Sequence, residues 1–201
     1  MQRLTRADAQ LRTRRLIVES ATDLFLRDGF DATSLEAVAA HAGFTRGAVY
    51  SNFAGKVALG SAVIDALYER EVDRVLALAE SADGDGLSAV INALDVWART
   101  VVGDRAWFRL EMAVVAASPH DGQLMAATAA RYTRIREATE TLVARLESVH
   151  GLDLPIDSET LAVGLFSLIL GLGMLRAADP SVSTDVAASI IGILMGSGRE
   201  G

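Results

Sequence analysis

Residues 33–53, TSLEAVAAHAGFTRGAVYSNF, decide how the N-terminal part of this chain folds. Thr33 stands three residues before Glu36, a spacing that predicts a reciprocal capping box at the start of a helix. Gly43 predicts the end of that helix, because glycine adopts the positive φ of a sharp turn between two helices. The apolar residues between these signals recur at i, i+3, i+4 and i+7 and so share one helix face: Leu35, Val38, Ala39 and Ala42.

A second, shorter helix is predicted from Thr45, whose hydroxyl can cap the first turn, to Phe53. It buries Val49 and Phe53 on one side. Arginine can donate two hydrogen bonds to guanine, and a tyrosine hydroxyl can reach a phosphate, so we expect the free side to enter the major groove of DNA. The residues of that free side are small or hydrogen-bonding: Thr45, Arg46, Gly47, Ala48, Tyr50, Ser51 and Asn52.

The region from about Arg12 to Leu59 resembles, without a gap, the N-terminal signature of TetR-type transcriptional regulators. Two positions depart from the pattern: Asn52 stands where histidine is frequent, and Val57 stands where an acidic residue is frequent. The residues that carry the resemblance are Leu24-Phe25, Gly29-Phe30, Thr33-Ser34-Leu35, Val38-Ala39, Ala42-Gly43-Phe44-Thr45, Gly47-Ala48-Val49-Tyr50, Phe53, Lys56 and Leu59.

The resemblance implies an all-α fold of about nine helices. An N-terminal three-helix, homeodomain-like helix-turn-helix domain would bind double-stranded operator DNA, and a C-terminal helical domain would bind a small-molecule effector and the second subunit of a homodimer. It also implies that Lys56 contacts a phosphate, for which a solvated lysine is the alternative. We include Thr33 with Lys56 and the free side of the second helix among the DNA-binding residues.

The charge distribution agrees with a DNA-binding front half. The chain of 201 residues has a formal net charge of −7. Residues 1–56 nevertheless hold eight Lys or Arg against six Asp or Glu, whereas the other 145 hold eleven against twenty. The acidic remainder would be repelled from DNA, which orients the molecule.

Composition also excludes some chemistry. The chain contains no cysteine, which excludes disulfides, thiolate metal sites and cysteine nucleophiles. Its N-terminus lacks an apolar segment of signal-peptide length, so we expect a cytoplasmic protein. The first ten residues are polar, and we expect them to be disordered. The arginines at this end form either a solubilising tail or an arm along the DNA backbone: Arg3, Arg6, Arg12, Arg14 and Arg15.

We assign residues 1–56 to DNA binding and 57–201 to effector binding and dimerisation, with 57–82 as a connecting helix. Asp83-Gly84-Asp85-Gly86 is the clearest break in the chain. Before the break, Ile17, Ala21, Leu24 and Phe25 mark an amphipathic helix that Gly29 terminates. After it, helices are predicted at about 87–102, 104–117, 122–150, 158–177 and 184–196, separated by Gly103, Pro119, the stretch 151–155 and Pro180.

The stretch Leu161–Leu175 is almost purely apolar. As a helix it spans only ~22 Å against a bilayer core of ~30 Å, so we interpret it as buried in protein, not in a membrane. A helix that is apolar on all sides needs neighbours on all sides. The last helix has an apolar stripe of its own, and together the two helices predict a four-helix interface between subunits. That stripe consists of Val186, Ile190, Ile193 and Leu194, with Gly192 and Gly196 beside it.

Ser118, His120 and Asp121 lie together near a proline turn, but adjacent loop positions do not make a catalytic triad. The three histidines are dispersed and predict no metal site, and no cofactor is expected. The large side chains of the middle helices are either ordinary core or the lining of an effector cavity between helices. Those we assign to effector binding are Trp97, Phe108, Met112, Tyr132 and Phe166.

The sequence therefore favours a transcriptional repressor released from a palindromic operator by a small, mostly apolar effector. The alternative is a helical ligand-binding or enzymatic protein in which the N-terminal motif is only structural. Arg46, Tyr50 and Lys56, all outside the apolar stripe, favour the first, because a structural helix pair has no need of them.

Overall fold

A computed structural model describes residues 5–84, 86–154 and 156–197, with side chains up to Ile193. The sequence analysis also gave roles to Arg3, Asp85, Pro155, Leu194 and Gly196. The first three residues, the side chain of Leu194 and the surroundings of Gly196 lie outside what the structure describes. The described part of the chain is all-helical, which confirms the predicted fold class. Its helices are α1 (Arg6–Asp28), α2 (Leu35–Ala42), α3 (Arg46–Asn52), α4 (Lys56–Ser81), α5 (Leu87–Gly103), α6 (Arg105–Ala117), α7 (Gly122–His150), α8 (Ser158–Ala178) and α9 (Asp185–Ser197).

The five helices predicted after the break agree with the structure to within one residue at each end. The starts of α6, α7 and α8 were readable because an aspartate caps each of them locally. Asp157, for example, accepts a hydrogen bond from the Thr160 amide at 2.8 Å, and this bond lowers the pKa of its carboxyl below the ordinary value. Such local signals do not depend on tertiary packing.

The start of α2 differs from the prediction. Ser34, not Thr33, is the N-cap: its hydroxyl accepts a hydrogen bond from the Ala37 amide at 3.0 Å. Thr33 is buried, and its hydroxyl donates to the Gly29 carbonyl at 2.9 Å. The capping box with Glu36 is therefore wrong, because packing turns Thr33 inward and leaves the neighbouring hydroxyl to satisfy the first turn.

The predicted disorder of the first ten residues is also wrong from Arg6 onward. Thr5 forms a full capping box: its hydroxyl accepts from the Asp8 amide at 3.1 Å, and its own amide donates to the Asp8 carboxylate at 3.1 Å. The Thr5 hydroxyl also donates to the Asp8 carboxylate at 2.7 Å, and this bond, together with the one from the Thr5 amide, lowers the pKa of Asp8. A polar segment thus begins the helix, because reciprocal capping satisfies amides that have no partner within the helix.

The chain divides into two compact units, and α4 runs through both. The first unit contains residues up to Leu67 together with Arg109–Ala127. Within it, α1, α2 and α3 pack against one another. Gly43 ends α2 with a φ of 73°, as predicted, and so allows α3 to fold back over α1 and α2.

The second unit contains Tyr68–Phe108 and the residues from Thr128 onward. In it, α5 packs against α8 and α9, and α8 packs against α9. Gly173 of α8 gives room to the ring of Phe108, because a Cβ at this position would lie 2.1 Å from that ring. The close approach is one reason why α8 needs a small residue there.

Helix α8 is long and apolar enough to cross a membrane by length and composition alone, and it is the one such helix among the residues described. Only 33% of its most apolar 18-residue window is buried within the single chain. Val163 and Leu175 are exposed on the uncovered side. The prediction that this helix requires neighbours beyond its own chain remains a prediction at this point.

Candidate DNA-binding surface and ligand cavity

Helix α3 presents one buried and one free side. Thr45 caps it as predicted, since its hydroxyl accepts a hydrogen bond from the Ala48 amide at 3.3 Å. Val49 and Phe53 are buried, as the sequence indicated. Because these two residues hold one side inward, the remaining side faces solvent. The residues exposed there include Thr45, Arg46, Gly47, Tyr50 and Ser51, with Ala48 and Asn52 partly exposed.

Two neighbours hold Arg46 in place at this surface. Its Nε lies 2.9 Å from Oε1 of Glu36, and its Nη2 donates to the Tyr50 hydroxyl at 3.3 Å. The hydrogen bond to Tyr50 and the charge of Glu36 raise the pKa of Arg46 above its ordinary value. The guanidinium therefore remains charged, and since arginine carries five N–H donors, three remain for other acceptors.

Ser51 and Asn52 turn their polar groups back onto their own helix. The Ser51 hydroxyl donates to the Ala48 carbonyl at 2.9 Å, and the Asn52 amide donates to the same carbonyl at 2.8 Å. Such local bonds compete with contacts to a ligand. The base contacts predicted for these two residues stay predictions.

Lys56 lies in the first turn of α4, beside the C-terminal end of α3 in the sequence. Its Nζ donates to the Asp31 carbonyl at 3.0 Å and lies 4.6 Å from the centroid of the Phe30 ring. An ammonium carries three donors, so two remain for other acceptors. The contacts hold the lysine in position and leave a phosphate contact open to it.

Arg14 is a residue that the sequence analysis assigned only to a basic tail or arm. In the structure its Nη1 donates to the Asn52 carbonyl at 2.8 Å, and its guanidinium carbon lies 4.2 Å from the centroid of the Phe53 ring. Asn52 is the last residue of α3, whose terminal carbonyls have no partner within the helix. Arg14 therefore ties the end of α3 to α1. The sequence carries no signal for this contact, because 38 residues separate the two partners.

The second unit encloses an apolar cavity of about 50 Å³. Residues of α4, α5, α6, α7, α8 and α9 line it. The volume is enough for water-sized contents and well below the ~300 Å³ typical of sites for drug-sized ligands. Any larger ligand must therefore open the cavity. The aromatic residues in its wall are Tyr68, Trp97, Trp107, Phe108 and Phe166.

Three of the five residues predicted to bind an effector, Trp97, Phe108 and Phe166, line this cavity. Tyr132 is not in the wall, although its ring centroid lies 5.2 Å from that of Phe166. Met112 is not in the wall either: it is exposed and belongs to the other compact unit. Sequence spacing could not separate these residues, because which side of a helix faces a cavity depends on the packing of its neighbours.

Glu71 is a cavity residue that the sequence analysis missed, and it is only 7% exposed. Its Oε2 accepts a hydrogen bond from Nε1 of Trp97 at 2.8 Å, and its Oε1 pairs with Nη1 of Arg74 at 2.8 Å. A buried carboxylate is costly unless it is paired. An acidic residue within an apolar helix pattern was the available signal.

The residues around Ser118 have a structural role. The Asp121 carboxylate accepts hydrogen bonds from the amides of Gln123 and Leu124 at 2.9 and 3.1 Å, and so caps α7. Among the described residues, no group of three or more histidine, aspartate or glutamate side chains is placed to hold a metal ion.

The contact of Arg14 with the end of α3 predicts a measurable effect on that helix. Replacing Arg14 by Met keeps the aliphatic stem but removes the donor and the charge. We expect faster amide hydrogen exchange in α3 and a loss of about 0.5–1 kcal/mol in stability, the range for an exposed cation–π contact.

Arg12→Met is the matched control, because it removes the same charge from the exposed surface of the same helix. It should leave exchange in α3 unchanged. Equal effects of the two substitutions would show that charge alone, and not the contact with Asn52 and Phe53, accounts for the result.

Comparison with known proteins agrees with this geometry. The family model of bacterial regulatory proteins of the tetR family matches residues 17–63, and that of the C-terminal domain of BetI-type transcriptional repressors matches residues 85–192. Among curated proteins, the HTH-type transcriptional regulator TtgR of Pseudomonas putida is 40% identical over 83 residues, which are 41% of this chain and 39% of that protein. The match thus spans about two fifths of the curated relative.

Solved structures match over nearly the whole chain. A transcriptional regulator from Rhodococcus sp. RHA1 has a TM-score of 0.76 at 19% identity and covers 92% of this chain and 95% of its own. NalD, the secondary repressor of the MexAB-OprM multidrug efflux pump in Pseudomonas aeruginosa, has a TM-score of 0.60 at 25% identity. The match covers 96% of this chain and 100% of the NalD chain.

These matches confirm the resemblance carried by the N-terminal residues and the helix-turn-helix fold that it implied. They also show that the matched families and the curated relative are transcriptional regulators, the class of protein that the sequence predicted. The C-terminal match alone covers more than half of the chain. The chain belongs to the tetR family of bacterial regulatory proteins.

Proposed function

We propose that this regulator is a cytoplasmic, homodimeric repressor that leaves a palindromic operator when a small, mostly apolar effector binds. The free side of α3, held outward by the burial of Val49 and Phe53, is the observation that carries the DNA-binding half. Two of the similarities support repression: the C-terminal family model is that of transcriptional repressors, and NalD is a repressor. Residues 1–56 bind DNA in this proposal.

In this proposal, the DNA contacts are of two kinds, contacts to bases and contacts to phosphates. Arg46 specifies bases by donating its remaining N–H groups to a guanine, while Tyr50 and Lys56 contact phosphates and set the register of the protein on the duplex. Gly47 and Ala48 allow close approach because their side chains are small. Thr45, Ser51 and Asn52 complete the surface, and the buried Thr33 is no longer part of the proposal.

Dimerisation uses the uncovered sides of α8 and α9. On α8 the exposed stripe combines Leu175 with small residues that permit close approach, Gly164 and Gly171. On α9, Val186, Ile190 and Ile193 are exposed. Contiguous apolar surface of this kind marks an interaction site. In a two-fold subunit contact, each of the two helices is covered by helices of the second subunit. Such a contact accounts for the exposed apolar surface of α8, and no membrane is needed to cover it.

The effector half of the proposal depends on the continuity of α4. Tyr68, Glu71 and Val75 of this helix line the cavity, and the same helix begins at Lys56, shortly after α3. A ligand that enlarges the cavity displaces the cavity segment of α4. Two half-sites one DNA turn apart, ~34 Å, allow only one separation of the recognition helices. An effector that favours another separation shifts the population away from DNA.

The subunit contact makes the first prediction. Wild-type protein should sediment as a dimer at micromolar concentration, and Leu175→Glu should raise the dissociation constant of the dimer at least tenfold, because it buries a charge in the interface. Val96→Glu, at a 64% exposed position of α5, is the control and should remain dimeric. A monomeric wild type would refute the dimer, and so would bound DNA sites without dyad symmetry.

The second prediction separates base contacts from phosphate contacts. DNA sites are selected from a random pool, and affinity is then measured against salt concentration. Lys56→Ala should weaken binding to all DNA sequences about equally, and it should lower the slope of log affinity against log salt concentration by about one per subunit. Arg46→Ala should instead relax the base preference. Tyr50→Phe should act uniformly on all sequences. An unchanged salt slope for Lys56→Ala would remove this lysine from the DNA contact.

The third prediction uses the reciprocity of linked binding. Apolar compounds are screened for thermal stabilisation, and each hit is titrated with and without operator DNA. A compound that weakens DNA binding tenfold must itself be weakened tenfold by the operator, which corresponds to ~1.4 kcal/mol. Phe108→Ala should lower the affinity for the hit. Equal compound affinity in the presence and absence of operator would end the sensing proposal and leave the DNA-binding proposal intact.

A further inference from the structure

The cavity contains one acidic side chain among aromatic and aliphatic walls. Glu71 lines it and is buried. The other polar groups of the wall are uncharged: Thr139 donates its hydroxyl to the Ile135 carbonyl of its own helix at 2.8 Å, and Tyr68, Trp97 and Trp107 carry a hydroxyl or an indole N–H. The carboxylate is therefore the strongest electrostatic feature that a ligand in the cavity would meet.

The two oxygens of Glu71 have different partners. Oε1 pairs with the guanidinium of Arg74, which is 57% exposed and so reaches the carboxylate from the solvent side. Oε2 accepts from the neutral indole N–H of Trp97. A carboxylate can accept about four hydrogen bonds, so both oxygens retain capacity. The exposed arginine is screened by water and neutralises the carboxylate only in part.

The walls are suited to the same kind of ligand. Tyr68, Trp107 and Phe108 form a continuous set of rings, with centroid separations of 5.1 Å between Tyr68 and Trp107 and 5.7 Å between Trp107 and Phe108. The faces of such rings attract cations within about 6 Å, and quaternary ammonium groups are typically bound by aromatic walls. Trp97 and Phe166 add two further rings to the wall.

We propose that the effector is a lipophilic organic cation, such as a quaternary ammonium compound, whose charge pairs with Glu71 while its apolar groups fill the space between the aromatic rings. This inference rests on the proposed effector function of the cavity and names the chemical class of the ligand. An anionic ligand would be repelled by the buried carboxylate, and a neutral apolar ligand would gain nothing from it.

Trp97 also indicates where such a ligand enters. It lines the inner cavity and also a surface groove of about 510 Å³ that α4 and α5 form, with Arg74, Leu78 and Val96 in the groove wall. This side chain is thus common to the walls of the groove and of the cavity. The hydrogen bond to Glu71 holds Trp97 in this position. A cation that approaches Glu71 competes for the carboxylate and so frees the indole to swing aside.

The test compares two probes of nearly equal shape and different charge, 3-hydroxyphenyltrimethylammonium and 3-tert-butylphenol. The two tryptophans of the chain, Trp97 and Trp107, both line the cavity, so quenching of tryptophan fluorescence in the full-length protein reports its occupancy. The measured quantity is the ratio of the affinity for the cation to that for the neutral phenol. Wild-type protein should bind the cation more tightly.

Two substitutions should move this ratio in opposite directions. Glu71→Gln keeps the shape and the acceptor for Trp97 but removes the charge, and it should lower the ratio about tenfold while changing the phenol affinity less than twofold. Arg74→Gln removes the competing cation and should raise the ratio. Glu69→Gln is the matched control: it removes the same charge two residues away, from a carboxylate that is exposed and paired with Arg134. Its ratio should equal that of wild type.

Three results would overturn the inference: absence of cation binding to wild-type protein, an unchanged affinity ratio in Glu71→Gln, or an equal loss of affinity for both probes in that variant. The last result would show that Glu71 only positions Trp97. If Glu71→Gln does not fold, the increase expected for Arg74→Gln decides the question by itself. The sensing proposal fails separately, when bound probes leave operator affinity unchanged even though the ratio responds as expected.

Discussion

The burial of Val49 and Phe53 is the constraint on which the DNA-binding surface depends. A helix of seven residues is too short to be stable by itself, so α3 exists because tertiary packing holds it. The cap from Thr45 at its beginning and the Arg14 contact at its end act on the same helix from both sides. Together they leave the polar side of α3 outward and in one orientation, which a recognition helix requires.

In the second unit, the apolar wall of the cavity includes one acidic residue. Glu71 is stabilised there by Trp97 and Arg74, and this arrangement links a buried charge to a side chain that lines both the cavity and a surface groove. Helix α4 carries Glu71 and also begins shortly after α3. In the proposed mechanism, a ligand in the cavity and DNA at α3 are linked through this one continuous helix.

Much of the fold was predictable from local signals. Helix boundaries agreed closely from α5 onward because glycines, prolines and capping side chains mark them within a few residues of sequence. The exceptions show the limit of such signals: Thr33 and Ser34 are both competent caps, and packing decided between them. Thr5 and Asp8 form a capping box in a segment whose polarity favoured disorder, since polarity alone does not measure helix capping.

The sequence by itself determined the class of protein, through its resemblance to a known family, and it determined the order of the helices, because periodicity, caps and turns are local properties. Only the tertiary structure decided which residues meet: Arg14 with the end of α3, Glu71 with Trp97, and three of the five predicted effector residues around one cavity. The exclusion of Met112 and Tyr132 from that cavity belongs to the same group. Such contacts depend on how neighbouring helices are rotated and spaced, and no pattern within a single helix contains that information.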